Sequence, residues 1–118
     1  MLNIDIAPAI IKAAGQNVPG CMQGEDFSEL YLKNSSARWR KDFYYEHPFV
    51  TNEQRIPSSE ALVTKYGKYI LWPFYNYEEF FDLIKDPFEK HNAILDTRYA
   101  EELNAMKIRF QELKEKAQ

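Results

Sequence analysis

The sequence predicts an α+β fold in which a four-stranded antiparallel sheet packs against a long carboxyl-terminal helix, with a short helical segment at the amino end. Three observations predict it. Aromatic residues reach 15%, with eight Tyr, eight Phe and two Trp. Most of them lie between Trp39 and Phe88, and that density favours strands and a sheet-based core. Four strand-like runs follow one another through turn residues, which reads as a meander. Beyond them Tyr99, Leu103, Met106, Phe110 and Leu113 recur at spacings of 4, 3, 4 and 3, a single helical stripe that needs a sheet to cover.

The amino-terminal element spans residues 4–14, where Ile6, Ile10, Ala13 and Ala14 fall at helical spacing. Asp5 is a candidate N-cap, Pro8 is tolerated in the first turn, and Gly15 is a stop. Residues 16–25 hold Pro19, Gly20 and Gly24 and read as a loop; Phe27, Leu30 and Tyr31 suggest one or two helical turns. The polar linker at residues 33–36 is the best internal boundary.

Strands are expected at residues 41–46, 60–65, 68–73 and 77–83. Gly67 separates the second from the third as a residue free to take any turn conformation, and Pro73 to Asn76 separates the third from the fourth. Residues 49–59, between Pro48 and the far side of Pro57, form a longer excursion of the kind that is often functional. In the last helix Asp96 or Thr97 serves as cap, with acids early and lysines late, as the macrodipole favours.

At 118 residues the chain can bury one core of its own. Hydrophobic residues at 45% and charged residues at 28% place it among globular proteins. A formal net charge of −3, with cations interleaved among acids, argues against nucleic acid as a partner. No apolar run approaches the roughly 18 residues of a membrane span. The amino end has no signal-peptide pattern, so the chain as written is expected to be cytosolic or an excised piece. One cysteine, Cys21, excludes an internal disulfide.

Three stretches carry a resemblance. Residues 79–92, E-F-F-D-L-I-K-D-P-F-E-K-H-N, read as a strand entering a tight polar turn at Asp86-Pro87, with Phe81 and Leu83 on one face and Phe80 and Asp82 on the other. The pattern resembles the signature near the carboxyl end of type I sulfatases, the formylglycine-dependent sulfuric ester hydrolases, through Glu79, Phe81, Asp82, Leu83, Asp86, Pro87, Glu89 and Asn92. Residues 3–15, N-I-D-I-A-P-A-I-I-K-A-A-G, are similar to a second sulfatase run, with Ala9 in place of the usual threonine, and Gln23-Gly24 resembles the Q-G segment that follows it. Residues 61–70, A-L-V-T-K-Y-G-K-Y-I, are similar to a third, with Thr64 where that family has arginine.

The resemblance implies a division at residues 1–36, the end of the family's large α/β domain plus a linker, and 37–118, its carboxyl-terminal subdomain. It also implies what lies elsewhere. The family's nucleophile sits in C-x-P-S-R and is oxidised to formylglycine, with a Ca²⁺ held by Asp and Asn side chains, whereas Cys21 reads C-M-Q-G-E. No catalytic residue, metal ligand or cofactor is therefore expected in this chain. Formylglycine and Ca²⁺ belong to an amino-terminal sulfatase domain, its expected partner. The intact enzyme is expected to be periplasmic or secreted and to act on sulfated sugars.

The resemblance also places the end of the first strand at the substrate cleft. Glu46 and His47 are candidates to hydrogen-bond sugar hydroxyls, Tyr45 to stack on a ring face, and Arg55 to reach an anionic group. The plainer alternative is a pair of tyrosines alternating between core and solvent beside a loop-capping histidine and a solvated arginine. Trp39 and Trp72 read as core or interface residues ahead of a carbohydrate platform, and His91 as exposed. Asp82, Asp86 and Glu89 lack the spacing of a Ca²⁺ loop and read as carboxylates serving backbone N–H groups.

The leading expectation is a structural and substrate-pocket subdomain of a sulfatase, inactive alone. Its rival is a stand-alone carbohydrate- or protein-binding module derived from such a subdomain. A hydrolase using Glu46 and His47 is disfavoured, because neighbours on a strand point to opposite faces. Without the family's large sheet to cover, the first helix is expected to be mobile, or to dock on a second copy of the chain or on the small sheet.

Overall fold

The computed structural model describes residues 1–32, 39–48, 52 and 54–117. The expected linker at residues 33–36, and residues 49–51 and 53 of the excursion, lie outside the described residues. Two compact units are present, Met1–Trp39 and Arg40–Gln118.

In the first unit a 3-10 turn, Asn3–Asp5, runs directly into helix α1, Ile6–Ala13, with Pro8 buried in its first turn. Gly15, at φ 72°, closes it. A single helical turn, α2, follows at Glu29–Leu32. Asp5 departs from the sequence expectation, since it makes no side-chain cap bond. Its backbone is already helical (φ −80°), whereas a capping side chain needs a non-helical residue. The buried carboxylate instead accepts from the Leu2 N–H at 2.6 Å and the Glu25 N–H at 3.0 Å, tying the loop back to the first turn. Gly24 shows how close that return is, because a Cβ there would lie 2.0 Å from the Ile4 carbonyl oxygen.

The second unit is the expected sheet and helix. Strands β1 (Asp42–His47), β2 (Ser59–Thr64), β3 (Gly67–Trp72) and β4 (Tyr77–Asp82) lie in the order of the chain, every pair antiparallel. In the β2–β3 turn the Thr64 hydroxyl accepts from the N–H groups of Tyr66 and Gly67 and donates to the Gly67 carbonyl. That is the work of the residue standing where the resembling family has arginine. Gly67 corrects the sequence reading, because it holds no left-handed conformation. A Cβ there would sit 3.2 Å from Met106 Sδ and from a Phe80 ring carbon, so a side chain would have to push the helix or the Phe80 ring back by a few tenths of an ångström. The β3–β4 turn does use the left-handed region, at Asn76 (φ 46°).

Asp96 caps the carboxyl-terminal helix by accepting from the Arg98 N–H; a 3-10 turn, Thr97–Tyr99, leads into α3, Ala100–Ala117. Met106 and Phe110 bury against Leu62, Tyr69 and Phe80, with Tyr99, Leu103 and Leu113 packed around them. The whole predicted stripe thus faces the sheet. Polar tethers surround that core. Arg109 donates to both oxygens of Asp42, Lys114 pairs with Glu60 at 2.7 Å, and Lys107 with Glu78 at 2.6 Å. The Tyr44 and Tyr69 hydroxyls donate to Glu60 and Glu78. Burial, helped by those carboxylates, pushes both phenols well above their usual range. The Lys107 hydrogen bond, then that of Tyr69, holds Glu78 below the usual carboxylate range.

The motif around residues 79–92 closes the β4 edge. Asn92 Oδ1 accepts from the Phe80 N–H at 3.0 Å, its Nδ2 donates to the Glu78 carbonyl at 3.1 Å, and the Ala93 N–H donates to the Phe80 carbonyl at 2.8 Å. The intervening turn is held by its carboxylates. Asp82 Oδ1 accepts from the N–H groups of Ile84 and Lys85, and Asp86 from that of His91. Glu89 does otherwise: it sits at φ 53° and pairs with Lys68 at 2.7 Å.

Candidate functional site

Strand alternation places Phe43, Tyr45 and His47 on the face of the sheet away from α3, and Asp42, Tyr44 and Glu46 on the helix side. The register carries this across the sheet. Tyr45 stands opposite Ala61, Ala61 opposite Ile70, and Ile70 opposite Glu79; at the end of β1, His47 stands opposite Ser59. This open face has its own buried cluster, Ala61, Ile70 and Phe81, with Trp72 and Leu83 packed against it. Two polar contacts lie on it, where Trp72 Nε1 donates to Glu79 at 2.8 Å and Lys68 pairs with Glu89. A shallow groove of about 470 Å³ runs along it between Tyr45, Val63, Lys68 and Trp72.

Of the four candidate residues, Tyr45 and His47 share this face, Tyr45 half-exposed and His47 partly buried. Glu46 is exposed and points to the helix side, opposite Glu60. Arg55 is exposed on the β1–β2 connection, its N–H bonded to the Asn52 carbonyl, and its side chain makes no polar contact with the other three. The structure therefore unites two of the four and separates Glu46 from His47.

Sequence reasoning missed the Trp72–Glu79 and Lys68–Glu89 pairs, which set the polarity of the open face. The signal for the first was available, because a hairpin joining Trp72 to Tyr77 puts Glu79 diagonally across from the indole. Among the described residues, no group of three or more His, Cys, Asp or Glu side chains converges to hold a metal ion. Asp82 is drawn down to about 2 by the Tyr99 hydroxyl, then by the N–H of Lys85, and so is committed to structure.

Residues 1–116 match the family described as N-sulphoglucosamine sulphohydrolase, C-terminal. The chain belongs to this sulfatase C-terminal family. It is 30% identical over 110 residues to an arylsulfatase of Clostridium perfringens, a match covering 92% of the chain and 22% of that protein. It is 31% identical over 105 residues to an N-acetylglucosamine-6-O-sulfatase of Bacteroides thetaiotaomicron, covering 84% and 18%. The chain thus spans about a fifth of the length of these curated relatives. A structure solved with its substrate D-glucosamine-2-N,6-O-disulfate superposes at a TM-score of 0.85 with 26% identity, over 94% of this chain and 23% of that one. The phosphonate monoester hydrolase of Agrobacterium radiobacter superposes at 0.78 with 18% identity, over 95% and 24%, and shares the fold. The four-stranded antiparallel sheet with its carboxyl-terminal helix is thus the fold this chain shares with those structures.

Proposed function

We propose that this chain acts as the carboxyl-terminal subdomain of a sulfatase, giving structural support and one wall of a substrate pocket for a sulfated sugar, and that it has no hydrolytic activity alone. The observation that carries this reading is the family match across nearly the whole chain, combined with a motif content that includes no C-x-P-S-R nucleophile. Formylglycine and Ca²⁺ would come from an amino-terminal catalytic domain. The open face of the sheet, apolar at its centre with Lys68 and Glu89 paired and Glu79 held by Trp72, suits a protein surface laid over it. Residues 1–36 would then be the end of that large domain, and residues 37–118 the subdomain proper.

Within that arrangement Tyr45 and His47 are the best placed for substrate, since they share a face at the end of β1. His47 would donate to a sugar hydroxyl and Tyr45 would stack on a pyranose ring. Arg55 is a candidate for a second anionic group, and Glu46 is the weakest of the four because it faces the helix side.

The test is sulfate release from aryl sulfates and from D-glucosamine sulfates by the purified chain, with and without Ca²⁺. The expected result is none above buffer, and turnover that persists through purification overturns the proposal. Joined to a catalytic domain from a relative, His47→Ala is expected to raise KM more than it lowers kcat. Glycan binding by the chain alone, without sulfate release, would favour a stand-alone binding module.

A further inference from the structure

The two edges of the sheet are finished differently. At β4 the returning chain meets the edge: Asn92 bonds the Phe80 N–H and the Glu78 carbonyl, and the Ala93 N–H donates to the Phe80 carbonyl. At β1 nothing comparable occurs. Among the described residues, no backbone group of Asp42–His47 bonds to anything but β2. An edge strand directs alternate N–H and C=O groups outwards, and while unpaired they are a template for another strand.

β1 also lacks the devices that keep such an edge single. Its register with β2 runs unbroken from Asp42–Thr64 to His47–Ser59, so no bulge bends it away. Neither Lys nor Pro lies within D-F-Y-Y-E-H; Lys41 and Pro48 stand just outside its ends. Phe43, Tyr44 and Tyr45 favour the strand conformation. Tyr45 and Glu46, in its second half, are exposed.

The strand is also complementary to itself. About a two-fold axis perpendicular to the sheet, two copies of β1 run antiparallel with their open faces on the same side, so each side chain meets one from its own face. Centred on Phe43 or on Glu46, such a pairing joins only three residues of each strand. Centred on Tyr44, it sets Asp42 against Glu46 at both ends, and like charges directly opposite oppose pairing. Centred on Tyr45, it joins five residues of each strand and brings no like charges together. Tyr45 then meets Tyr45, Phe43 meets His47 on the open face, and Tyr44 meets Glu46 on the helix side.

We propose that the outer edge of β1 pairs with the same edge of a second copy of this chain, in the register centred on Tyr45, so that the two sheets become one. A single pair of short strands buries less than the roughly 1,200 Å² of a stable complex, so the dimer is transient, with Kd on the order of 10⁻⁴ M. The proposal stands apart from the sulfatase reading, because it uses the backbone of one edge and leaves the open face uncovered.

The test is sedimentation velocity of the purified chain from about 10 μM to about 1 mM, with amide exchange at both ends of that range. The expected result is a reversible rise from monomer towards dimer, accompanied by slower exchange within residues 42–47. Tyr45→Lys, at a half-exposed position, sets two ammonium groups against each other on the axis. It is expected to weaken association roughly tenfold while leaving the urea midpoint in place. Ile10→Ser, on the exposed side of α1, tests the other route to self-association and is expected to change nothing. A monomer at every concentration, protection that gathers over Ile6–Ala13 or β4 instead of β1, or a dimer that survives Tyr45→Lys or is lost with Ile10→Ser would each overturn the assignment.

Discussion

The two faces of the sheet solve the same problem differently. The helix face buries Leu62, Tyr69 and Phe80 under Met106 and Phe110 and then ties the helix down with ion pairs from Arg109, Lys114 and Lys107 to three strands. The other face buries a smaller cluster, Ala61, Ile70 and Phe81 with Trp72 and Leu83 packed against it, and carries the Trp72–Glu79 and Lys68–Glu89 contacts. One face is covered by this chain's own helix; the other, under the proposed function, receives a cover from the catalytic domain. A sheet with both faces apolar is stable in water only when each is covered. The contrast therefore locates the larger share of the unit's own stability on the helix side, and the proposed function assigns association to the other.

The contrast is sharpest in the response to truncation. Phe110→Ala should destabilise the unit by about 3–5 kcal/mol, read from urea unfolding, since it opens a cavity against Tyr44 and Tyr69. A loss below about 1 kcal/mol would show that the helix contributes little. Asn92→Ala comes next, at about 1–2 kcal/mol, because the Phe80 N–H and Glu78 carbonyl each lose a partner. Lys107→Met should cost no more than about 1 kcal/mol, as Lys107 and Glu78 are both more than one-third exposed. Tyr45→Ala, on the open face, should change stability least, by under about 1 kcal/mol, and instead alter whatever binds there.

Titration gives a further check on the helix side. Asp82 is held at about 2, below its ordinary 3.8, chiefly by the Tyr99 hydroxyl. Its contribution is thus present at neutral pH and lost as pH falls from about 4 towards 2; Asp82→Asn should flatten that part of the acid limb. Tyr44 and Tyr69 have raised values, so their contribution is constant below the ordinary phenol value of 10.0 and falls as pH rises beyond it. Stability that stays level from pH 9 to 12 would contradict the two phenol–carboxylate bonds.

The elements were legible because each obeys one periodicity. The 4, 3, 4, 3 stripe gave the helix its buried face, and the four strands begin and end within one residue of their expected bounds. What escaped depends on distance in the fold. The Lys107–Glu78–Tyr69 network needs the strand register and the helix position together, and no local pattern encodes either. Gly67 read as conformational freedom when its cause is the approach of Met106, and Asp5 read as a cap of the helix when it bonds Leu2 locally and Glu25 twenty residues away. In the candidate site, the opposite orientation of Glu46 and His47 was visible from alternation alone. The placement of Arg55 was not, because a long connection has no period to read.

The closure of the β4 edge by Asn92 has a consequence for which changes this stretch can absorb. The chain leaves β4 at Asp82, is pinned at Ile84, Lys85 and His91 by two carboxylates, and returns Asn92 beside Phe80. The segment works as a ruler. Identities at its free positions, such as Phe88 and Lys90, can vary, but one inserted or deleted residue between Asp86 and Asn92 would slide the amide along the strand by about 3.3 Å. That is far enough to miss both backbone groups and expose a raw edge to any passing strand.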